Sequence, residues 1–446
     1  MVFTALILLW TALLSLPLAT KSGTVTPLAD ALFTAVYAIC VTGLSTLNMA
    51  EHWSLFGDIV ILVGLQIGGI GVLTLASILG LNVTRRLGLR QRLLVASDTN
   101  PARVAKGTSE QQTIGLGEMA GLLSAVAISL LVIEIGLTAL ITPRLMFAGY
   151  DFWQSLWYGF YLAASAFTNT GFVPMAGGLM PFAADAYLLS VLAIGVFLGS
   201  IGFPVIFALY RYVSARGWKF HKRLGLHSKL TLATTLILIV FGWLAIAGLE
   251  WGNQKTFGGQ NFWQTFMSAG YMSVMTRSGG LSIVDPVDMH SSTLLVFDML
   301  MFVGGGSAST AGGIKVTTIA VLFLAAFAEA RGYQNVQVFE RSIPNDVLRL
   351  AISIVIWGAT IVSVSTLVLL HITERSLDVV LFEVISAFGT CGLSTGLSAE
   401  VSDPGKYVLA ATMWAGRIGT VTLAAAIAAT SRRRMFSLPE ERPIVG

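Results

Sequence analysis

The sequence is poor in charge. Of its 446 residues only 11% are Asp, Glu, Lys or Arg, whereas 55% are hydrophobic and the mean hydropathy is +0.78. A soluble globular domain carries about 25% charged residues, so a soluble protein is excluded. The apolar runs at 59–81 and 231–249 are each long enough to cross a bilayer, which takes about 20 residues. We therefore predict an all-α polytopic membrane protein.

Cysteines and nucleotide-binding motifs are equally scarce. Cys40 and Cys391 are the only thiols, and two thiols make neither a disulfide framework nor a metal site. No phosphate loop and no dinucleotide fingerprint occurs, so any nucleotide sensing must come from another polypeptide. The five histidines are scattered without the spacing of metal ligands, which argues against a membrane enzyme. We expect no catalytic residues, no resident metal and no cofactor in this chain.

What the chain does contain is a short stretch that occurs four times. In each copy a run of apolar residues ends in small and hydroxylic residues around one glycine, and a polar loop follows. The glycines are Gly43, Gly171, Gly280 and Gly392, and the sequence Gly-Leu-Ser-Thr is identical in the first and last copies. A single Thr-Gly pair carries no information, so the signal is the repetition. We interpret the copies as four re-entrant loops that face one another across a membrane pore.

The four loops divide the chain into four units, each with a span, a half-helix, a glycine loop and a second span. The half-helices are predicted at 28–40, 150–167, 261–275 and 377–389, and they are too short to cross the membrane. The run at 2–19 lacks the basic start of a signal peptide and fits the first span. The repeat units are 1–82, 115–213, 230–330 and 346–431, joined by basic cytoplasmic loops at 83–114 and 214–229, a cytoplasmic linker at 331–345 and a cytoplasmic tail at 432–446.

The charges indicate the orientation of the units. Six basic residues and no acid lie between 210 and 230, six more basic residues lie between 83 and 111, and three arginines lie at 432–434. The positive-inside rule explains such clusters better than binding to nucleic acid does. The segments after the four glycines instead carry acids such as Glu51, Asp285 and Glu400. We therefore place the glycine loops toward the outside and both termini in the cytoplasm.

A second glycine-rich signature lies on the last span of each unit. It begins at Gly68, Gly199, Gly312 and Gly416, and close packing of small residues between membrane helices explains most of these glycines. The third copy is preceded by a run of glycines, which each cost a helix about 1 kcal/mol relative to Ala. We predict that this span is broken, with a flexible loop that ends at Lys315. Lys315 and Arg417 are cations inside the membrane, where charge is costly and usually functional.

The glycine loops have the chemistry of a filter for a dehydrated monovalent cation. Backbone carbonyls arranged around an axis replace the hydration shell of the ion without adding fixed charge. Glycine permits the backbone conformations that such a ring requires, and the dipole of the preceding half-helix favours a cation. We predict that the filter carbonyls belong to Val41, Thr42 and Gly43; Asn169, Thr170 and Gly171; Ser278, Gly279 and Gly280; and Thr390, Cys391 and Gly392.

The four span–loop–span units resemble the Trk/Ktr/HKT superfamily of potassium transporters, and most closely the KtrB-type membrane subunit of bacterial Ktr systems. The resemblance implies potassium uptake across a bacterial cell membrane, with potassium as the transported ligand and sodium as a candidate activator. Gly43 stands where sodium-preferring relatives tend to carry serine. The resemblance also implies homodimers in membrane lipid, docked on a cytoplasmic ring of nucleotide-binding RCK/KTN-type subunits. The gate it implies contains Gly304, Gly305, Gly306, Ser307, Gly312, Gly313, Lys315 and Arg417.

Two alternatives remain open from the sequence. The third loop reads Arg277-Ser278-Gly279-Gly280-Leu281 where relatives often read Arg-Thr-Ala-Gly-Phe, and the extra glycine is expected to loosen that quarter and weaken selectivity for potassium over sodium. The other alternative is a cation-coupled secondary transporter, which usually carries intramembrane carboxylates. Glu134 and Asp298 are the candidates, and we expect them to be satisfied by neighbours or to lie near a membrane edge.

Overall fold

The computed structural model describes residues 2–86, 114–214, 224–333 and 335–419. Most of the two basic loops that we predicted to be cytoplasmic, and all of the predicted tail at 432–446, lie outside the described residues, as does the last part of the span predicted at 408–430. Within the described residues the fold is almost wholly helical, and three helices are long and apolar enough to cross a membrane, or four if one bent pair is counted as a single span.

Among the described residues, the first unit contains four α-helices and a short 3-10 helix at Pro17–Ala19. The half-helix α2 has the bounds expected from the sequence, and it ends where Val41 adopts a left-handed conformation. The first helix stops earlier than the predicted run at 2–19, because Pro17 disfavours the helical conformation of the preceding residue and Leu16 is extended. The helices are α1 (Val2–Leu14), α2 (Leu28–Cys40), α3 (Met49–His52) and α4 (Leu55–Arg86).

The second unit differs from the prediction in its last span. A single helix was expected at 187–212, but the structure has two helices bent by 105° at Gly202. Gly202 has a φ of +87°, which only glycine adopts readily, and Pro204 lies just beyond it. The sequence-based interpretation missed this break. The helices are α5 (Ile114–Phe147), α6 (Phe152–Thr168), α7 (Ala186–Ile201) and α8 (Phe203–Ser214).

The last span of the third unit is divided into two helices, as the sequence predicted. Its half-helix begins with a capping box in which the side chains of Asn261 and Gln264 each bond the backbone of the other residue. The last two helices are separated by the non-helical stretch 303–315, which contains the glycine run. The helices are α9 (Leu226–Glu250), α10 (Phe262–Met275), α11 (Ser291–Phe302) and α12 (Val316–Ala330).

The linker at 331–345 contains a β-hairpin that the sequence did not reveal. Strands β1 (Val336–Val338) and β2 (Arg341–Ile343) pair antiparallel, and both residues of the turn, Phe339 and Glu340, have positive φ. The fourth unit then follows, with its half-helix at the bounds expected from the sequence. Its helices are α13 (Asn345–Thr373), α14 (Leu377–Gly389), α15 (Leu397–Glu400) and α16 (Asp403–Trp414), continued by a π-helical turn (Ala415–Gly419).

In each of the half-helices α2, α6, α10 and α14, at least half of the residues are buried. Each packs against the first helix of its own unit and also against the last span of the unit before it. The pairs between units are α4 with α6, α7 with α10, α11 with α14, and α16 with α2, so the contacts close into a cycle. The glycine loops, which follow directly from the half-helices, are thereby brought to one place.

Candidate functional site

The four glycine loops share one backbone conformation. The first residue of each predicted filter triplet has a positive φ, although none of the four is glycine: 57° at Val41, 59° at Asn169, 68° at Ser278 and 46° at Thr390. The third residue is the glycine, with φ between 65° and 89°, and the middle residue does not have a positive φ. Non-glycine residues seldom adopt this conformation, least of all β-branched ones. Its recurrence at four corresponding positions shows that the sequence repeat is also a backbone repeat.

The loops contact one another in a closed ring. A Cβ atom on Gly43 would overlap the carbonyl oxygen of Thr170, and one on Gly171 would lie 3.2 Å from that of Gly279. Likewise a Cβ on Gly280 would overlap the oxygen of Cys391, and one on Gly392 would lie 2.5 Å from that of Thr42. Each glycine therefore abuts the middle carbonyl of the neighbouring loop. No larger residue fits at any of the four positions without moving the backbone.

The ends of the half-helices hold the loops in three units in the same way. The second residue of the triplet donates its N–H to the carbonyl five residues earlier, at 2.9 Å, for Thr42, Thr170 and Cys391. The third loop differs because α10 ends at Met275, three residues before Ser278, and Gly279 donates to Met275 at 2.8 Å instead. The carboxyl ends of α2, α6 and α14, which we predict to favour a cation, therefore lie directly before their triplets. The carboxyl end of α10 lies further from its triplet.

The third loop is tied to the fourth. The Ser278 hydroxyl donates to the carbonyl oxygen of Thr390 at 2.5 Å and lies 3.0 Å from that of Gly389. A Cβ on Gly279 would come within 2.8 Å of both Met275 Sδ and Val196 Cγ1. The extra glycine of this loop is thus enclosed by side chains. Whether it loosens that quarter of the ring, as the sequence led us to expect, stays a prediction.

The second glycine signature packs directly against the loops. A Cβ on Gly68 would overlap the carbonyl of Ile39, one on Gly199 that of Phe167, and one on Gly416 that of Phe388. Each of these carbonyls belongs to the residue two positions before the triplet of the same unit. In the third unit Gly312 instead meets the side chain of Thr390. Close approach of a backbone carbonyl therefore accounts for Gly68, Gly199 and Gly416, and close approach of the Thr390 side chain accounts for Gly312.

The non-helical stretch 303–315, which we call the glycine-run loop, begins and ends at one point and docks on the second unit. Gly304 N–H donates to the Ile314 carbonyl at 2.8 Å, which closes the loop. Gly306 N–H donates to Ser200 at 2.7 Å, and Phe203 N–H donates to Ala308 at 3.3 Å. A Cβ on Gly305 would lie 2.6 Å from the Ser200 carbonyl oxygen, and one on Gly306 would lie 2.6 Å from that of Ile201. The loop and the bend at Gly202 therefore fit each other.

The rest of the predicted gate lies in or beside this loop. The Ser307 hydroxyl is 3.0 Å from that of Thr317 at the start of α12, and Gly313 has a φ of +65°. Arg417 is buried in the π-helical turn and donates from Nη1 to the Thr310 carbonyl, while its Nε and Nη2 have no hydrogen-bond partner among the described residues. Lys315 Nζ donates to the Ala311 carbonyl at 2.5 Å. Both cations therefore bond backbone carbonyls of the glycine-run loop within residues 307–311, which we call its apex.

Sequence reasoning assigned no role to two buried charged residues beside the ring. Arg277 is fully buried and donates to the Leu300 carbonyl. Glu383, fully buried in α14, accepts hydrogen bonds from the Ser394 hydroxyl at 2.8 Å and from the N–H groups of Thr395 and Ser398 at 3.1 Å. The signal for Glu383 was an acid inside a half-helix, at a position where the other three units have Thr34, Leu162 and Tyr271.

The two candidate coupling carboxylates are buried, and neighbours satisfy them only in part. Gln66 Nε2 donates to Glu134 Oε2 at 2.6 Å, whereas Oε1 of Glu134 has no partner in the described part of the chain. Oδ1 of Asp298 is likewise unpaired there. Neither Glu134 nor Asp298 contributes an atom to the ring of contacts between the four glycine loops.

Comparison with known proteins decides the family. The sequence profile of the TrkH family, described as a cation transport protein, matches residues 3–436. The chain belongs to the TrkH family of cation transport proteins. Among solved structures, TrkH from Vibrio parahaemolyticus superposes with a TM-score of 0.68 at 18% identity, covering 96% of this chain and 84% of that one. That likeness shows the fold, which is a multi-pass helical membrane fold.

Curated relatives of this TrkH-family chain are also transport proteins. The Ktr system potassium uptake protein D of Bacillus subtilis is 34% identical over 438 residues, which are 97% of this chain and 93% of that protein. The Ktr system potassium uptake protein B of Vibrio alginolyticus is 34% identical over 443 residues, 97% and 91% of the two chains. The potassium/sodium uptake protein NtpJ of Enterococcus hirae is 30% identical over 458 residues, which cover 100% of this chain and 95% of that protein. The predicted membership of the Trk/Ktr group is confirmed, and so is the prediction that the chain is not an enzyme.

Proposed function

We propose that this chain is a gated pathway for potassium uptake, in which the four glycine loops form a single filter. The observation that carries the proposal is the ring in which each of Gly43, Gly171, Gly280 and Gly392 abuts the middle carbonyl of the next loop. A ring of main-chain oxygens, with one loop from each quarter of the chain, can replace the hydration shell of a monovalent cation. The potassium uptake activity named for the relatives supports the choice of ion.

The glycine-run loop is proposed as the gate. Its apex contacts the Asn169 and Thr390 side chains, which belong to the first residues of two filter triplets. Arg417 and Lys315 bring two positive charges to the same place, where they oppose the exit of a cation. The loop is joined to the second unit by few backbone hydrogen bonds, so its displacement requires little rearrangement of the helices. Movement of the loop would open the path below the filter.

The proposed setting is a bacterial inner membrane, with the basic loops and both termini in the cytoplasm. We propose a homodimer that docks on a ring of nucleotide-binding subunits. Two relatives are named as components of a Ktr system, which supports a partner subunit. An inside-negative potential supplies about 2.3 kcal/mol per charge per 100 mV, so uptake needs no energy source within the chain.

Potassium and rubidium uptake in a strain that lacks its own potassium systems tests the proposal. The chain is expected to restore uptake, and Gly43→Ser is expected to lower it roughly tenfold, because a Cβ in left-handed backbone costs about 1–2 kcal/mol and would overlap the Thr170 carbonyl. Gly136→Ser is the control, since a Cβ there meets none of the described atoms within 4 Å. Equal uptake by wild type and Gly43→Ser would refute a filter at this ring.

A less selective potassium/sodium pathway is the second candidate. The name of the Enterococcus hirae relative, a potassium/sodium uptake protein, favours it, as does the additional glycine at position 279. The same strain distinguishes the two candidates when sodium uptake is measured alongside potassium uptake. Comparable rates for the two ions would establish the less selective pathway.

A further inference from the structure

Asn169 differs from its counterparts in the other loops. The first residues of the other three triplets are Val41, Ser278 and Thr390, whereas Asn169 carries an amide whose NH2 group donates and whose oxygen accepts, so its donor and its acceptor are separate atoms. Its side chain is fully buried. Gly199 leaves the space for it, because a Cβ on Gly199 would overlap Asn169 Oδ1. The amide therefore occupies a pocket that the second glycine signature makes available.

The Asn169 amide joins two other parts of the molecule. Its Nδ2 donates to the carbonyl of Arg277, just before the third triplet, at 3.1 Å. Its Oδ1 is 3.3 Å from the hydroxyl of Thr310 at the apex of the glycine-run loop. One side chain thus connects the second filter loop, the third filter loop and the proposed gate.

Thr310 is held at this position from several sides. Its hydroxyl is 3.0 Å from the Gly199 carbonyl and 3.2 Å from that of Phe167, as well as near Asn169. Its own carbonyl accepts from Arg417. The hydroxyl has one proton and donates to one of these oxygens at a time, but all of them surround it only while the loop is seated. Withdrawal of the loop removes every one of these contacts together.

We infer that Thr310 is a positioning residue that makes the potassium affinity of the filter depend on the seating of the glycine-run loop, through Asn169. The inference rests on the proposed function. When Thr310 leaves, Asn169 Oδ1 loses its hydroxyl neighbour, and the second and third loops lose a shared support. Because coupling between two sites is reciprocal, a potassium ion in the filter also favours the seated loop.

The test measures potassium affinity rather than flux. The melting temperature of the purified full-length chain is recorded in detergent against potassium chloride and against sodium chloride, and the concentration dependence yields an apparent Kd. Thr310→Val and Thr310→Ala are each expected to raise the apparent potassium Kd about two- to tenfold, the effect of losing one hydrogen bond. Thr310→Ser keeps the hydroxyl and is expected to retain the wild-type Kd. Thr366→Val is the matched control, because the buried Thr366 hydroxyl has no hydrogen-bond partner among the residues that the structure describes.

The outcomes separate this inference from the function on which it rests. If potassium does not stabilise the wild type, the proposed filter is wrong. If wild type prefers potassium but Thr310→Val and Thr310→Ala keep its Kd and only lower the melting temperature at zero salt, Thr310 is structural and the coupling is refuted. A double-mutant cycle with Asn169→Ala adds a second criterion: coupled residues give non-additive changes in Kd, and strictly additive changes overturn the route through Asn169.

Discussion

At the scale of single residues, the ring combines strain with support. Val41 and Thr390 are β-branched residues in left-handed backbone, a conformation that costs of order 1–3 kcal/mol and persists only where surrounding structure enforces it. The enforcing contacts are identifiable: N–H bonds back to the half-helices, the glycine signature beneath, and the Ser278 hydroxyl across to the fourth loop. Left-handed backbone recurs at all four corresponding positions, including Asn169 and Ser278, which supports a shared task.

Glu383 supports the fourth loop from behind, and its removal has a predictable cost. In Glu383→Gln an amide NH2 replaces a carboxylate oxygen that accepts from Ser394, Thr395 or Ser398, so at least one donor is left unpaired. We expect a loss of about 1–3 kcal/mol of stability, seen as a lower melting temperature and weaker stabilisation by potassium.

Glu400→Gln is the control for this change, because Glu400 is exposed and its ion pair with Arg375 lies at the surface, where such pairs contribute little. An unchanged melting temperature in Glu383→Gln would show that the carboxylate is dispensable.

Arg417 is expected to hold the gate closed. Arg417→Ala removes the hydrogen bond to the Thr310 carbonyl and one of the two charges beneath the ring. A bond of this kind to a charged donor contributes about 1.5–3 kcal/mol, so we predict roughly tenfold higher rubidium flux in the absence of a partner subunit. Lys255→Ala, at an exposed lysine, controls for loss of one positive charge. Wild-type flux and selectivity in Arg417→Ala would return the residue to a structural role.

At the scale of elements, the glycine-run loop is the part whose removal has the clearest consequence. Deletion of residues 307–311 removes the apex that carries Thr310, together with the carbonyl that Lys315 bonds. We predict higher flux without any partner, measured as rubidium uptake into vesicles. The variant must still be stabilised by potassium, though less than wild type because Thr310 is absent, and this stabilisation shows that the filter has folded. Flux equal to wild type in such a folded variant would count against the gate.

The elements also show what the sequence could predict. Half-helices α2 and α14 have the predicted bounds, because each ends where small residues and a left-handed residue stop the helix. The bend at Gly202 was missed, since the apolar run continues through it and the sequence does not reveal that the glycine-run loop docks there through Ala308. The hairpin at Val336–Ile343 was missed because its turn contains neither Gly nor Asn at the residues with positive φ.

The candidate site was predictable in part for a physical reason. Repetition of a glycine motif identifies backbone positions, so the four triplets could be named from the sequence. Side-chain connections between distant segments cannot be read that way. The contact of Asn169 with Thr310 joins residues 141 apart in sequence. The hydrogen bond from Arg277 to the Leu300 carbonyl depends on how α11 packs beside the third loop.

At the scale of the whole molecule, the passive pathway that we propose and a coupled carrier make different demands on the two buried carboxylates. A coupled carrier would need Glu134 or Asp298 to bind and release a second ion, but neither takes part in the ring. In proteoliposomes that contain only this chain, we predict that an inside-negative potential drives rubidium accumulation without nucleotide or a pH gradient. At 100 mV the driving force of about 2.3 kcal/mol corresponds to roughly 50-fold accumulation. Glu134→Gln is expected to reach the same plateau. A plateau that requires a pH or sodium gradient, or that collapses in Glu134→Gln while the protein stays folded, would establish coupled transport instead.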